Sequence, residues 1–321
     1  MLRIARGPSP KVRPKTQPEN TVFRRQLRDL IRHFDTNPVA TSVLYFGDSV
    51  LSRVSRDDHD TRSLGQMVAE KLGDRMQVVC IYDGAYHMAV FNAFVRALGR
   101  MRYRPQVIVL PVNLRSFSPQ WHLNPEWQFD KEIRTLEEFT AGRTQTVPPV
   151  QKLPQSIIEF RATPVEYPCS SLTRIGEFLD VVRMRTETAE QKEYRWGQIH
   201  VFHYMHPLQA DHPKLLLVKE TLEEIEKLGA FAVAYVTPIN HQAGRKLIGE
   251  DFASAVRDQV ELVRRQVAES ERRGRARFLD CSTMFGSDCF FHEYDPTEHL
   301  NERGRLMLAD VIAQVILQLC Q

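Results

Sequence analysis

The chain of 321 residues reads as an α/β protein built on a parallel sheet, and three observations predict this. Short apolar runs of strand length alternate with helical patterns from residue 42 onward. Those runs are apolar without the in-and-out alternation of a half-solvated strand, which implies strands covered on both faces. The composition, 42% hydrophobic and 26% charged, is that of a globular chain able to bury a core, which sets aside disordered, collagen-like and disulfide-stapled classes.

Residues 1–20 carry Pro8, Pro10, Pro14 and Pro18 among basic and polar residues, a composition that buries too little apolar surface to fold, so a disordered arm is expected there. From residue 21, Phe23, Leu27, Leu30, Ile31 and Phe34 recur at helical spacing, predicting an amphipathic helix that ends near Asn37-Pro38. Strands follow over Ser42–Phe46, Gln77–Ile81 and Gln106–Leu110, with helices at about 62–73 and 87–100 between them. Strand-helix alternation at this spacing implies parallel pairing. After a helix over about 213–228 come a strand at Ala230–Val236 and a short one at Arg277–Leu279, and long helices over about 250–273 and 302–319 complete the unit.

Between Ser118 and His212 the rhythm fails. Pro148, Pro149, Pro154, Pro164 and Pro168 break up the stretch, leaving three helix-like fragments at most. A structureless loop of that length is improbable inside a compact domain, so residues 118–212 read as an insertion after the third strand that caps one end of the sheet. The organisation expected is therefore an arm over 1–20, an α/β domain over 21–117 and 213–321, and the insertion.

The formal net charge is +3, and the arm supplies it through Arg3, Arg6, Lys11, Arg13 and Lys15 against Glu19. The body is close to neutral, which leaves no electrostatic footprint for nucleic acid. No apolar run approaches the roughly 20 residues that cross a bilayer, and the N-terminus lacks the apolar stretch of a secretory signal. A soluble, cytoplasmic protein without a membrane span is expected. Cys80, Cys169, Cys281, Cys289 and Cys320 are odd in number and scattered, which suits reduced thiols, although Cys281 and Cys289 could pair in an exported protein.

Ligands of an open parallel sheet collect at the carboxyl ends of its strands. The first such turn is Phe46-Gly47-Asp48-Ser49, the second Asp83-Gly84-Ala85, and the third Pro111-Val112-Asn113. Tyr294-Asp295-Pro296-Thr297-Glu298-His299-Leu300-Asn301 lies just before the final helix. Each has an ordinary structural explanation: a serine before a helix caps it, a turn glycine supplies positive φ, and an asparagine satisfies loop backbone.

Taken together and in this order, the four blocks resemble the SGNH (GDSL-type) hydrolase superfamily. The resemblance spans residues 41–113 and 230–319, and is strongest at Gly47-Asp48-Ser49 and at His299-Leu300-Asn301 followed by Gly304. It implies a three-layer, flavodoxin-like sheet, Ser49 as nucleophile, His299 as general base, and an oxyanion hole from the Ser49 amide, Gly84 and Asn113. The family usually places its aspartate three residues before the histidine; here Pro296 holds that position and Asp295 lies four before. Positions i+3 and i+4 share a face on a helical turn, so Asp295 is expected to orient the imidazole. Leu114 follows Asn113 where the family often has aspartate.

Other chemistries lack their signatures. Leu51 stands where G-x-S-x-G needs its second glycine, and the chain has no phosphate loop, no G-x-G-x-x-G after a strand and no H-E-x-x-H. No cofactor and no metal is expected. His200, His203, His206 and His212 have spacing that permits a metal cluster, but no carboxylate or cysteine completes a ligand set, and they are read as lining the insertion. Phe117, Trp121, Trp127 and Phe129 are read as core of the insertion, with a wall of the substrate pocket as the alternative. The function implied is a serine-dependent ester hydrolase or O-acyltransferase working on a small-molecule or carbohydrate ester, with water or a sugar hydroxyl as acceptor. A binding or scaffold protein that keeps the fold without turnover is the rival class.

Overall fold

The structure is a computed structural model that describes residues 21–36, 41–140 and 153–320; the arm expected over residues 1–20 lies outside the described residues. The elements run α1 (Thr21–Thr36), β1 (Ser42–Gly47), α2 (Ser49–Ser52), α3 (Leu64–Leu72), β2 (Gln77–Tyr82), α4 (Met88–Leu98) and β3 (Val107–Val112). The insertion contributes α5 (Pro119–Leu123), α6 (Asp130–Phe139), α7 (Ile157–Ala162), α8 (Ile175–Arg183) and α9 (Ala189–Tyr204). The chain then returns through α10 (Pro213–Lys227), β4 (Phe231–Val236), α11 (His241–Ile248), α12 (Glu250–Arg272), β5 (Ala276–Asp280) and α13 (Glu302–Leu319).

Among the described residues five strands form one sheet, all parallel, in the order β2-β1-β3-β4-β5, which is the flavodoxin-like arrangement. The fold class is the expected one, and period-two geometry explains its layers. Leu44 and Phe46 of β1 point into one core with Phe23, Leu30 and Phe34 of α1, Phe91 and Phe94 of α4, Val218 of α10 and Val263 of α12. Val43 and Tyr45 point the opposite way, against Leu64, Met67 and Val68 of α3 and Leu308, Ile312 and Ile316 of α13. Each fully buried side chain of this kind is worth about 1.5–3 kcal/mol of transfer free energy. Within the smaller core the hydroxyls of Tyr45 and Tyr235 lie 2.9 Å apart and bond each other, which spares two buried polar groups.

Among its described residues the insertion is more helical than expected, with five α-helices against three fragments at most. Local caps account for several of them. The Ser156 hydroxyl accepts from the Glu159 amide at the start of α7, and Thr188 and Gln191 form a reciprocal capping box on α9. The carboxyl half of α9 is buried all round, including His200 and His203, so it shows no amphipathic period, and its histidines read as polar. Phe160, Phe178, Phe202 and Tyr204 of the insertion join the same core as α4 and α10. Among the described residues no helix is long and apolar enough to cross a membrane.

Candidate active site

The turn after β1 is shaped by two residues before Ser49. A Cβ on Gly47 would collide with the Leu51 side chain, so only glycine lets the strand pass directly into α2. Asp48 then caps that helix, its Oδ1 accepting the Val50 N–H at 2.7 Å. Ser49 is the first helical residue, and its Oγ lies 3.0 Å from His299 Nε2. The other Asp48 oxygen accepts from Asn113 Nδ2 at 2.8 Å, and Asn113 Oδ1 accepts from the Arg115 N–H at 3.0 Å. The turns after β1 and β3 are thereby tied together. Burial raises the Asp48 carboxyl above its usual range, against the pull of Arg115 and these hydrogen bonds.

The histidine sits in a segment that forms no helix, which changes the expected geometry. In an extended stretch, residues two apart share a side, and here the side chains of Asp295, Thr297 and His299 bond in sequence. Thr297 donates its N–H (2.8 Å) and its hydroxyl (2.5 Å) to Asp295 Oδ1, and its oxygen lies 2.7 Å from His299 Nδ1. Because the single hydroxyl proton of Thr297 goes to Asp295, Nδ1 must carry the proton of that last bond. The Nε2 lone pair is left facing Ser49. The helical-turn argument for a direct Asp295 contact therefore does not hold: Thr297 intervenes, and a period-two reading of D-P-T-E-H would have found it.

Glu298 faces the other way. It is fully buried, pairs with Arg115 at 2.8 Å and accepts the Tyr204 hydroxyl at 2.5 Å. Burial, reinforced by the positive charges of Arg115 and Arg53, pulls the His299 imidazole down to about 3, so the ring is neutral at ordinary pH. Asp295 is raised above the usual carboxylate value by burial, against the hydrogen bonds from Thr297.

Gly84 lines the same cleft as Ser49, but its N–H donates to Asp83 Oδ1 at 2.7 Å. The positive φ expected of this turn falls on Ala85 (φ 66°) rather than on the glycine, a conformation that costs a non-glycine residue about 1–2 kcal/mol. Asn113 sits behind the site, on a small cavity shared with Tyr86 and His87, with one of its two Nδ2 protons spent on Asp48. The Ser49 N–H, in the first turn of α2, has no partner within that helix.

Over Ser49 opens a cleft of about 590 Å³, within the size range of small-ligand sites. Trp121 and Trp127 line it, whereas Phe117 packs against His212 and Phe129 against Tyr86. Of the four aromatic residues singled out in the sequence, two thus face the cleft and two are core. Trp196, Arg115, Arg53 and Arg195 also share its walls, and no motif or spacing in the sequence points to them. His200 Nδ1 lies 2.8 Å from the Trp196 carbonyl, and His203 sits between the Pro296 carbonyl (3.2 Å) and Gln120 (3.1 Å). Among the described residues, no three His, Cys, Asp or Glu side chains stand so as to hold a metal ion. Cys281 and Cys289 are free thiols in the smaller core.

No family model matches the sequence, and no curated protein matches it. Solved structures similar to it include a catalytic mutant of an acetylxylan esterase from Geobacillus stearothermophilus, with 9% identity over 86% of this chain and 94% of that one and a TM-score of 0.44. Another is a carbohydrate acetylesterase family member from Sinorhizobium meliloti, with 12% identity over 87% and 98% and a TM-score of 0.40. Likeness this shallow says nothing about chemistry, which has to be read from the chain's own residues.

Proposed function

We propose that this protein is a serine-dependent ester hydrolase or O-acyltransferase of the SGNH (GDSL-type) kind, working through an acyl-enzyme on Ser49. The observation that carries the reading is the 3.0 Å approach of Ser49 Oγ to His299 Nε2, with the opposite ring nitrogen bonded through Thr297 to Asp295. A nucleophile, a base with its lone pair aimed at it and a carboxylate fixing the tautomer are what acyl transfer requires.

His299 Nε2 accepts the Ser49 proton as Oγ bonds to the acyl carbon. The charge on the carbonyl oxygen is met by the Ser49 N–H, by Asn113 Nδ2 and by the Gly84 N–H once it leaves Asp83. The imidazolium is stabilised through Thr297 by the Asp295 carboxylate. Nε2 then returns the proton to the departing alkoxide as the ester C–O bond breaks, leaving the acyl group on Ser49. Water or a sugar hydroxyl gives its proton to Nε2 while its oxygen attacks the same carbon. Collapse expels Ser49 Oγ, which regains the proton. Water gives hydrolysis and a sugar hydroxyl gives transfer.

Because His299 is held so far below its usual value, its gain of a proton leans heavily on the Thr297–Asp295 chain. Release of 4-nitrophenol from 4-nitrophenyl acetate by wild type, but not by Ser49→Ala, tests the reading. Equal rates for the two proteins, or no release by either, would refute it.

A further inference from the structure

The chain has three tryptophans, and all of them, Trp121, Trp127 and Trp196, line the cleft over Ser49. They come from different parts of the insertion: Trp121 from α5, Trp127 from the turn after it and Trp196 from α9. Trp127 and Trp196 are half-buried, so part of each indole is open to a ligand. Amphipathic faces of this kind stack on the C–H faces of sugar rings while the hydroxyls remain with polar partners.

Three guanidinium groups, Arg53, Arg115 and Arg195, share the same walls against one lining carboxylate, Asp295, which is already bonded by Thr297. Arg115 is taken up by Glu298 and lies over Trp121, 4.8 Å from its ring centre. Arg195 donates to the Val182 carbonyl and lies 4.6 Å from the centre of Trp196. Arg53 differs from both: among the described residues its exposed side chain has no hydrogen-bond or ion-pair partner. It stands one turn of α2 beyond Ser49, its N–H bonded to the Ser49 carbonyl, and its charge reaches His299. An uncompensated cation at the mouth of a cleft focuses the field on an anionic ligand.

We propose that the cleft takes an O-acylated sugar bearing an anionic group, a carboxylate or a phosphate, and that Arg53 binds that anion while tryptophan faces hold the ring. This deepens the reading of the site given above and rests on it for the acyl group, but the recognition of the anion is testable without turnover. An anion docked at Arg53 also offsets one of the charges that keep His299 from accepting a proton, so binding and basicity would rise together.

Since every tryptophan lines the cleft, intrinsic fluorescence reports its occupancy directly. Wild type and Ser49→Ala are titrated with methyl glucuronide, glucose 6-phosphate and neutral methyl glucoside. The first two separate the carboxylate from the phosphate. The expected result is an emission change with an apparent Kd at least about tenfold lower for one or both anionic sugars than for methyl glucoside, as a charge-assisted hydrogen bond gives. The preference should collapse towards unity in Arg53→Gln, return in part in Arg53→Lys and weaken as salt is added. Equal affinities for all three sugars, no emission change at millimolar concentration, or an undiminished preference in Arg53→Gln would overturn the proposal. Failure here with Ser49-dependent release of 4-nitrophenol intact rejects the anion subsite alone. Anion preference without that release rejects the proposed catalysis alone.

Discussion

The two turns that meet in the Ser49–His299 hydrogen bond are held in opposite ways. The first, at residues 47–50, is shaped largely from within, by the absence of a side chain at Gly47, the Asp48 cap on Val50 and the start of α2, with the β1–β2 pairing of Gly47 with Tyr82 and the Asn113 bond to Asp48 as distant ties. The last, at residues 295–299, is held on its outer side by the insertion and by Arg115, which lies just before that insertion. The Pro296 carbonyl accepts the Tyr204 hydroxyl at 3.1 Å and lies 3.2 Å from His203 Nδ1, while Glu298 is gripped by Tyr204 and Arg115. Alternation does the rest: Asp295, Thr297 and His299 serve the cleft, and Pro296 and Glu298 serve the buttress. The nucleophile's place is thus largely a local property, whereas that of the proposed base, though its carbonyl accepts the Phe291 N–H nearby, is also braced by α9, about 100 residues away in sequence.

The largest expected effect breaks the first turn chemically without touching its shape. Ser49→Ala should reduce ester turnover to background while its melting temperature stays near that of wild type, because one half-buried hydroxyl contributes little to folding. On the other turn, Thr297→Val and Asp295→Asn should each lower kcat by about 10²–10⁴, since either leaves the imidazole tautomer unsupported. Thr297→Ser should retain most of the rate. A harmless Thr297→Val would mean that His299 works without Asp295.

A third comparison separates chemistry from support. Glu298→Gln leaves Arg115 buried without its carboxylate, and loss of one partner of a buried pair costs about 3–5 kcal/mol. Its chief effect should therefore appear in thermal or urea unfolding, with a smaller loss of kcat. Tyr204→Phe removes the hydroxyl shared by Pro296 and Glu298 and should cost about 1–3 kcal/mol. If either variant abolished turnover at unchanged stability, the division between the two sides of the segment would be wrong.

The smallest effects lie in pH dependence. Catalysis needs neutral His299, and burial with the Arg115 and Arg53 charges brings that ring to about 3. The acid limb of kcat/KM should then fall well below 6.5, the ordinary imidazole value. In Arg53→Gln one depressing charge is gone, so the limb should move to higher pH. Stability has its own window. Burial also lowers His122 and His200 to about 4 and His206 to about 3. Below pH 6.5 the unfolded chain takes up protons that these native rings refuse, so stability present at neutral pH is lost progressively as pH falls towards 4. Melting temperatures measured from pH 7 to pH 4.5 check the sign.

The difference between the two turns also explains what was legible in the sequence. Gly47-Asp48-Ser49 was readable because strand, glycine, cap and helix are contiguous. The strands were readable because continuous apolar runs admit few alternatives. His299 is legible as a residue but not in its wiring, because helical spacing does not govern an extended segment, in which Thr297 stands between Asp295 and the imidazole. Arg115, Trp196 and Tyr204 are hidden because what matters about them is contact with residues far away in sequence, and α9 conceals its period under all-round burial. The ordinary role of a turn glycine, a positive φ, falls on Ala85 and not on Gly84, which leaves the oxyanion-hole role that the resemblance implies for Gly84 to be tested.

The central claim is that Ser49 becomes a covalent nucleophile driven by a base that α9 holds in place. Labelling with an alkyl fluorophosphonate, followed by intact mass and peptide mapping, tests it most directly. The account predicts one adduct per chain, on Ser49, absent in Ser49→Ala and formed at least about 10²-fold more slowly in Thr297→Val. An adduct on another residue, or labelling of Ser49 at the same rate in Thr297→Val, would contradict it.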